Sequence, residues 1–134
     1  MTYIITQDQM EAFEVGANEC GHALEGFLHG LAATSIIWST VGPNGGPPLH
    51  AHICEEVHVI PEGRVRYIVD GQRFETDGPW VVRIPAGTEH TFPVAGAEPV
   101  TVIGFFPHPS LMDHYREIGP SPLIGGAGGG GAEG

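Results

Sequence analysis

The sequence predicts an all-β domain, a jelly-roll barrel of about eight short strands with a short C-terminal helix. Three observations predict it. Glycine at 21 and proline at 12 of 134 residues favour short strands and tight turns over a helical bundle. Apolar stretches recur at strand length, punctuated by VGPNGGPP, PEG, DG, PAG and AGAEP. Two sequence-distant patches, PPLHAHICEEVHVIPEG and RIPAGTEHTF, carry chemically matched polar residues that two converging hairpins would bring together.

Along the chain, Tyr3-Ile4-Ile5 reads as a strand, and Thr6 with Gln9 as a capping box opening a brief helix to about Val15. Residues 18–25 read as loop, so 1–26 form an N-terminal segment packing on the barrel. Barrel strands are expected at 27–32, 34–41, 51–60, 64–69, 72–76, 80–84, 90–94 and 99–106, giving a barrel over 27–108. Asp70-Gly71, between RYIV and QRFE, is the clearest two-residue hairpin signal. Pro109 and Ser110 introduce a helix over 109–118, with Leu111, Tyr115 and Ile118 on one face, suited to covering a barrel edge or a dimer mate. The Gly-rich stretch 119–134 has too little apolar content to fold alone and is expected to be a flexible tail.

A chain of this length buries roughly two thirds of its unfolded surface, enough for one core. Its net charge of -11, from sixteen acids against five arginines and no lysine, argues against nucleic acid or an anionic membrane as partner. Without lysine, Schiff-base catalysis is excluded. Cys20 and Cys54 form no CxxC pair, which argues against a disulfide framework or a thiolate zinc site. With no basic-then-apolar leader and no long apolar run, a soluble cytoplasmic protein is expected.

His50, His52, Glu56 and His90 supply three imidazoles and a carboxylate, a ligand set for one divalent metal. Two apart on a strand, His50 and His52 share a face with Cα atoms roughly 6.6 Å apart, within reach of one ion. Glu56, four extended residues on, would lie roughly 13 Å away. The chain must therefore bend at Ile53-Cys54-Glu55, so that Glu56 opens the next antiparallel strand beside the histidines. His90 follows the Pro85-Ala86-Gly87 turn, where a reversing chain starts a new strand.

At these residues the chain resembles the cupin superfamily, over roughly residues 27–108. The first cupin motif runs through a glycine, two histidines one residue apart, a glutamate and a closing glycine, and His50, His52, Glu56 and Gly63 fit it. The second is fitted by Pro85, Gly87 and His90. The chain departs from the pattern at Asn44, followed by Gly45 and Gly46, where the first motif opens on glycine, and at Pro79, where the second does. Val94 stands where asparagine often follows the last histidine. The resemblance implies a small single-domain cupin, a double-stranded β-helix, binding one divalent transition metal (Fe, Mn, Ni, Cu or Zn), and it implies a homodimer.

Other polar residues have competing readings. His58, two after Glu56, faces inward as a catalytic base beside Glu56 or as a core histidine bonded to a carbonyl. Glu55 points away, and is the substitute ligand if the register slips by one. Cys54 is a packed side chain in the bend. His22, His29 and His114 are expected at the surface, and His108 there or near the barrel mouth. Phe92 shares the face of His90, whereas Trp38, Tyr67 and Phe106 are filling or pocket wall. Arg64, Arg66, Arg73 or Arg83, if turned inward, would mark an acidic substrate.

Four protein ligands leave one or two positions open, so a small molecule with adjacent oxygens can chelate the ion while Glu56 serves as base. Three function classes follow. A metal-dependent dioxygenase-type oxidoreductase comes first. A non-redox isomerase, lyase or polyketide-type cyclase comes second, and a non-catalytic small-ligand-binding module third.

Overall fold

The computed structural model describes residues 3–15 and 17–124. The regular structure among these residues is strand apart from three short 3₁₀ turns, as an all-β fold requires. Among the described residues eleven strands run β1 (Glu11–Val15), β2 (Ala17–Leu24), β3 (Ser35–Gly46), β4 (Leu49–His52), β5 (Glu56–Ile60), β6 (Arg64–Val69), β7 (Gln72–Asp77), β8 (Trp80–Ile84), β9 (His90–Thr91), β10 (Val100–Phe106) and β11 (Tyr115–Gly119). They form a six-stranded sheet ordered β1-β2-β3-β10-β5-β8 and a five-stranded sheet ordered β11-β4-β9-β6-β7. Every strand pairing is antiparallel.

Period-two alternation sets the inner faces. Glu56, His58 and Ile60 of β5 are buried, with Val57 and Val59 half-buried between them. Val100, Val102, Gly104 and Phe106 alternate likewise on β10. Between the sheets, Val41, Ile60, Val65, Tyr67, Ile84, Phe92, Val94 and Val102 form one buried cluster. Burying each such aliphatic side chain contributes about 1.5–3 kcal/mol. The β6–β7 hairpin turns on Asp70 (φ 52°) and Gly71 (φ 77°), both left-handed as a type I′ turn requires, with Val69 opposite Gln72.

Several expected elements differ, and in each tertiary pairing overrides a local signal. The capping box is real, with Thr6 N–H donating to Gln9 Oε1 at 2.8 Å, but it caps only a single 3₁₀ turn, Gln7–Gln9. The chain then enters β1, whose backbone pairs fully with β2. Tyr3-Ile4-Ile5 forms no strand. The expected loop 18–25 is β2, disguised by weak strand formers such as Asn18 and Gly21. Gly21 is required there, because a β-carbon would collide with the Trp38 carbonyl of the adjoining strand. The N-terminal segment is thus part of the barrel sheet, not an appendage on it. Residues 27–32, expected as a strand, begin with a 3₁₀ turn over Gly26–His29 that ends on left-handed Gly30.

The helix expected over 109–118 contracts to a 3₁₀ turn, Met112–His114, followed by strand β11. Leu111, Tyr115 and Ile118 fit a helical stripe, but pairing with β4 satisfies the backbone of both strands and gives β4 its second neighbour. Within the expected flexible tail, residues 119–124 are placed. Ser121 is buried and accepts a hydrogen bond from Thr91 Oγ1 at 2.8 Å. The rest of that expectation, 125–134, lies outside the described residues. Among the described residues no helix is long and apolar enough to cross a membrane.

Candidate metal centre

The run 51–60 breaks at the expected place, with β4 ending at His52 and β5 beginning at Glu56. The two halves enter different sheets, so Glu56 reaches the histidines from the facing sheet, not from a neighbouring strand. Ile53 N–H, donating to the His114 carbonyl at 3.0 Å, anchors the bend to the turn before β11. On the other side of β4, His50 pairs directly with His90 of β9, their ring centroids 4.2 Å apart. Gly87 N–H donates to the His52 carbonyl at 2.7 Å, tying the Pro85-Ala86-Gly87 turn to β4.

The four side chains converge. His50, His52, Glu56 and His90 are all buried, and one ligand atom from each lies within 4.8 Å of the others. The hydrogen bonds behind them select the nitrogens that face inward. His50 Nδ1–H donates to the Pro48 carbonyl at 2.8 Å and His90 Nδ1–H to the Thr88 carbonyl at 2.9 Å, leaving both Nε2 atoms as lone-pair donors to an ion. His52 is set by a longer relay. His114 Nε2–H donates to the Ser110 carbonyl at 2.6 Å, which leaves its Nδ1 to accept from His52 Nδ1–H at 3.0 Å. His52 Nε2 is therefore also free of a proton.

Whether a metal fits is decided by what these lone pairs meet. His90 Nε2 stands 3.1 Å and His52 Nε2 3.8 Å from Glu56 Oε1, one basic atom facing another. Such atoms repel unless a cation lies between them, either a proton on an imidazole or a metal ion shared by the set. Three imidazole nitrogens and one carboxylate oxygen suit a divalent transition metal and do not single one out.

Electrostatics keep the set ready. Burial, reinforced by the neighbouring His90, holds the His50 imidazole down at about 4. Burial takes His52 to about 3, against the pull of Glu56, so both are neutral at pH 7. Burial alone pushes the Glu56 carboxyl up, but His58 and then His90 outweigh it and hold the group well below the usual carboxylate range. Gly104 on β10 leaves that carboxylate its room, since a β-carbon there would stand 2.6 Å from Glu56 Oε2.

His58 faces inward, and of its two readings the core histidine bonded to a carbonyl is not what is found. Its Nε2 lies 2.7 Å from Glu56 Oε2 and its Nδ1 2.8 Å from the Tyr67 hydroxyl. Burial and the Glu56 charge push the Tyr67 hydroxyl well above its ordinary value, so it stays protonated and donates to His58. A line Tyr67, His58, Glu56 thus orients the carboxylate, with Phe92 packed edge-on against His58 at 4.7 Å. His114, expected at the surface, is instead buried, and Tyr67, expected as filling or pocket wall, is a buried partner of His58. Their partners lie 62 and 9 residues away, and only the folded topology joins them.

Glu55 is exposed and Cys54 half-buried, both outside the quartet. His22 and His29 are half-buried, and His108 is half-buried beside His114, ring centroids 4.8 Å apart. Phe106 packs on His52 at 4.6 Å, while Trp38 is exposed. A cavity of about 390 Å³ opens over His50, His52, Glu56 and His58, walled by Phe13, Ile37, Val102 and Leu111, with Glu19 among its lining. None of Arg64, Arg66, Arg73 and Arg83 lines it.

The sequence profile of the cupin domain matches residues 37–106, which contain all four converging side chains and both motif strings. The chain is a cupin. The cupin shares its fold with the polyketide cyclase RemF from Streptomyces resistomycificus, at a TM-score of 0.71 and 21% identity over 92% of this chain and 90% of that one. A cupin-like protein from Thermotoga maritima gives 0.68 and 19%, covering 81% and 88%. Oxalate decarboxylase from Bacillus subtilis, described with Mn(II) centres, gives 0.72 and 18%, covering 84% of the cupin and 31% of the decarboxylase. The cupin therefore spans about a third of the length of the decarboxylases it matches. No curated protein sequence matches it.

Proposed function

We propose that this cupin is a metal-dependent enzyme acting on a small, uncharged organic molecule that offers adjacent oxygens to the ion. One observation carries the reading, namely that three members of the buried quartet, His50, His52 and Glu56, line a largely apolar cavity. His50, His52, Glu56 and His90 would hold the ion, and iron, manganese, nickel, copper and zinc all suit them. When bound, such an ion would supply Lewis acidity and, if redox-active, a route to dioxygen chemistry.

The protein's own groups handle the proton and the shape. Glu56 is the base for a substrate hydroxyl, and His58, 2.7 Å from its Oε2, holds the carboxylate while Tyr67 fixes the ring. Phe13, Ile37, Val102 and Leu111 exclude water from the bound molecule. Among the cavity-lining residues the acids are Glu11, Glu19, Glu25 and Glu56, and there is no arginine. A dicarboxylate such as the oxalate of the decarboxylase neighbours would meet negative charge without a guanidinium partner.

Dioxygenase-type oxidation is the first reading, since apolar walls favour dioxygen over water. Non-redox isomerisation, lyase chemistry or polyketide-type cyclisation is the second, favoured by the Tyr67, His58, Glu56 line, which serves proton transfer whether or not oxygen reacts. Oxygen uptake by anaerobically purified, iron-loaded protein given catechols and other vicinal-oxygen compounds separates them. Uptake stoichiometric with substrate loss supports the first, and substrate loss without uptake the second. Release of every compound unchanged, with every metal tried, would remove the enzymatic reading and leave a binding module.

We also propose a homodimer through the outer face of the six-stranded sheet. Trp38, Phe105 and Val81 stand exposed there, with Val57 and Val59 half-buried between them. Light scattering should give twice the 14.2 kDa chain mass, and a mass of one chain at micromolar concentration would refute it.

A further inference from the structure

Glu19 is the buried ionisable group at the cavity that the chemistry above does not use. It sits on β2 opposite Val41, facing into the barrel, and is only 7% exposed. It lines the same cavity as His50, His52 and Glu56 but stands outside the ligand quartet. Its Oε1 is fully buried with no hydrogen-bond partner. An unpartnered buried carboxyl oxygen costs stability, and a position that retains one in a ligand cavity has a partner to gain from the ligand.

We propose that Glu19 is a specificity-determining residue, accepting a hydrogen bond from a substrate hydroxyl separate from the oxygen pair that faces the quartet. The proposal rests on the function inferred above and narrows its substrate to a class: uncharged, apolar-bodied molecules, such as polyhydroxylated aromatics, with a chelating oxygen pair and one further hydroxyl. Three features of the site agree. The cavity lining is largely apolar, so few protein groups compete for that hydroxyl. No arginine or lysine lines the cavity to claim the carboxylate first. Burial, set against the Ser39 hydroxyl, pushes the carboxyl up to about 7, so near neutral pH it can accept from a hydroxyl or donate to a carbonyl.

The test uses zinc-loaded protein, which is redox-inert, and calorimetric binding of two isosteric pairs: 3-methylcatechol against pyrogallol, and 4-methylcatechol against hydroxyquinol. In each pair one methyl becomes a hydroxyl. At least one hydroxyl compound should bind roughly tenfold tighter than its methyl partner, because a site built to bond a hydroxyl discriminates against its absence. Glu19→Leu should abolish or invert that ratio. Glu19→Gln, which keeps a carbonyl acceptor, should retain it and guards against a folding defect. A merely structural Glu19 would shift both members of a pair alike. Binding of the catechols with no methyl-to-hydroxyl discrimination, or discrimination that survives Glu19→Leu, overturns this inference alone. Failure of every catechol to bind the zinc-loaded protein overturns the substrate class named here, while the proposed function stands or falls by the oxygen-uptake test above.

Discussion

Replacing His90 by alanine should weaken binding of zinc or nickel by more than about a hundredfold, since loss of groups that merely orient a ligand already costs roughly 10–100-fold. His90 is fully buried at the start of β9, its Nδ1–H fixed on Thr88 and its Nε2 set 3.1 Å from Glu56 Oε1. The imidazole beside Glu56 that lies outside the quartet, His58, does not replace that nitrogen, because it is already engaged with Tyr67 and Oε2. His114→Ala should have a smaller effect, roughly 10–100-fold, because it removes only the acceptor that fixes the His52 tautomer. Substituting half-buried His29, outside the quartet, should change nothing. Competition against a chromophoric chelator would rank the three. Wild-type affinity in His90→Ala would show that the quartet does not act as a unit.

Acid should unfold the metal-free protein well above the pH at which its carboxylates titrate. His50 and His52 are held near 4 and 3 in the fold, against 6.5 for a free imidazole. Below pH 6.5 the unfolded chain therefore binds protons that the folded chain refuses. The stability these neutral rings contribute is complete above 6.5 and is lost as pH falls toward 4. Glu56, also held low, adds a loss of the same sign below 4.5. The histidine pair amounts to something on the order of 5 kcal/mol at 1.36 kcal/mol per pKa unit, allowing for its coupling.

Glu19 works the other way. Raised from 4.5 to about 7, it penalises the fold above pH 7 and relieves it as pH falls toward 4.5, by about 3 kcal/mol. Two imidazoles outweigh one carboxyl, so the net slope between 6.5 and 4 is a loss. A saturating ion binds the neutral rings and should carry the transition to lower pH. Thermal melts of metal-free protein from pH 8 to 4 would show this, most clearly in Glu19→Gln. A melting temperature that stayed level or rose below pH 6.5 in that variant would contradict it.

The site was more legible in the sequence than the elements that support it. His50, His52, Glu56 and His90 stand out because ligand chemistry restricts both residue type and spacing, and the reach of their side chains demands the bend at Ile53-Cys54-Glu55 that the fold contains. Asp70-Gly71 was equally readable, since few residues tolerate two successive left-handed conformations. β2 and β11 were hidden for opposite reasons. Asn18, Glu19 and Gly21 weaken the strand signal of β2, while Leu111, Tyr115 and Ile118 lend β11 a false helical period. Both are strands because another strand completes their hydrogen bonding, a fact about partners distant in sequence. For the same reason Glu19 carries no signal and His114 reads as a surface residue: nothing local distinguishes a buried carboxyl from a solvated one, or an orienting histidine from a surface one.

X-ray absorption of the protein loaded with one equivalent of zinc tests the account most directly. The expected spectrum shows one ion per chain, with three imidazole nitrogens at about 2.0–2.1 Å and carboxylate oxygen at about 2.0–2.2 Å. No sulfur should appear, since Cys54 lies outside the quartet. A chain that takes up no ion, or one whose ion carries a sulfur or fewer than three imidazoles, would contradict the convergence on which the proposed chemistry depends.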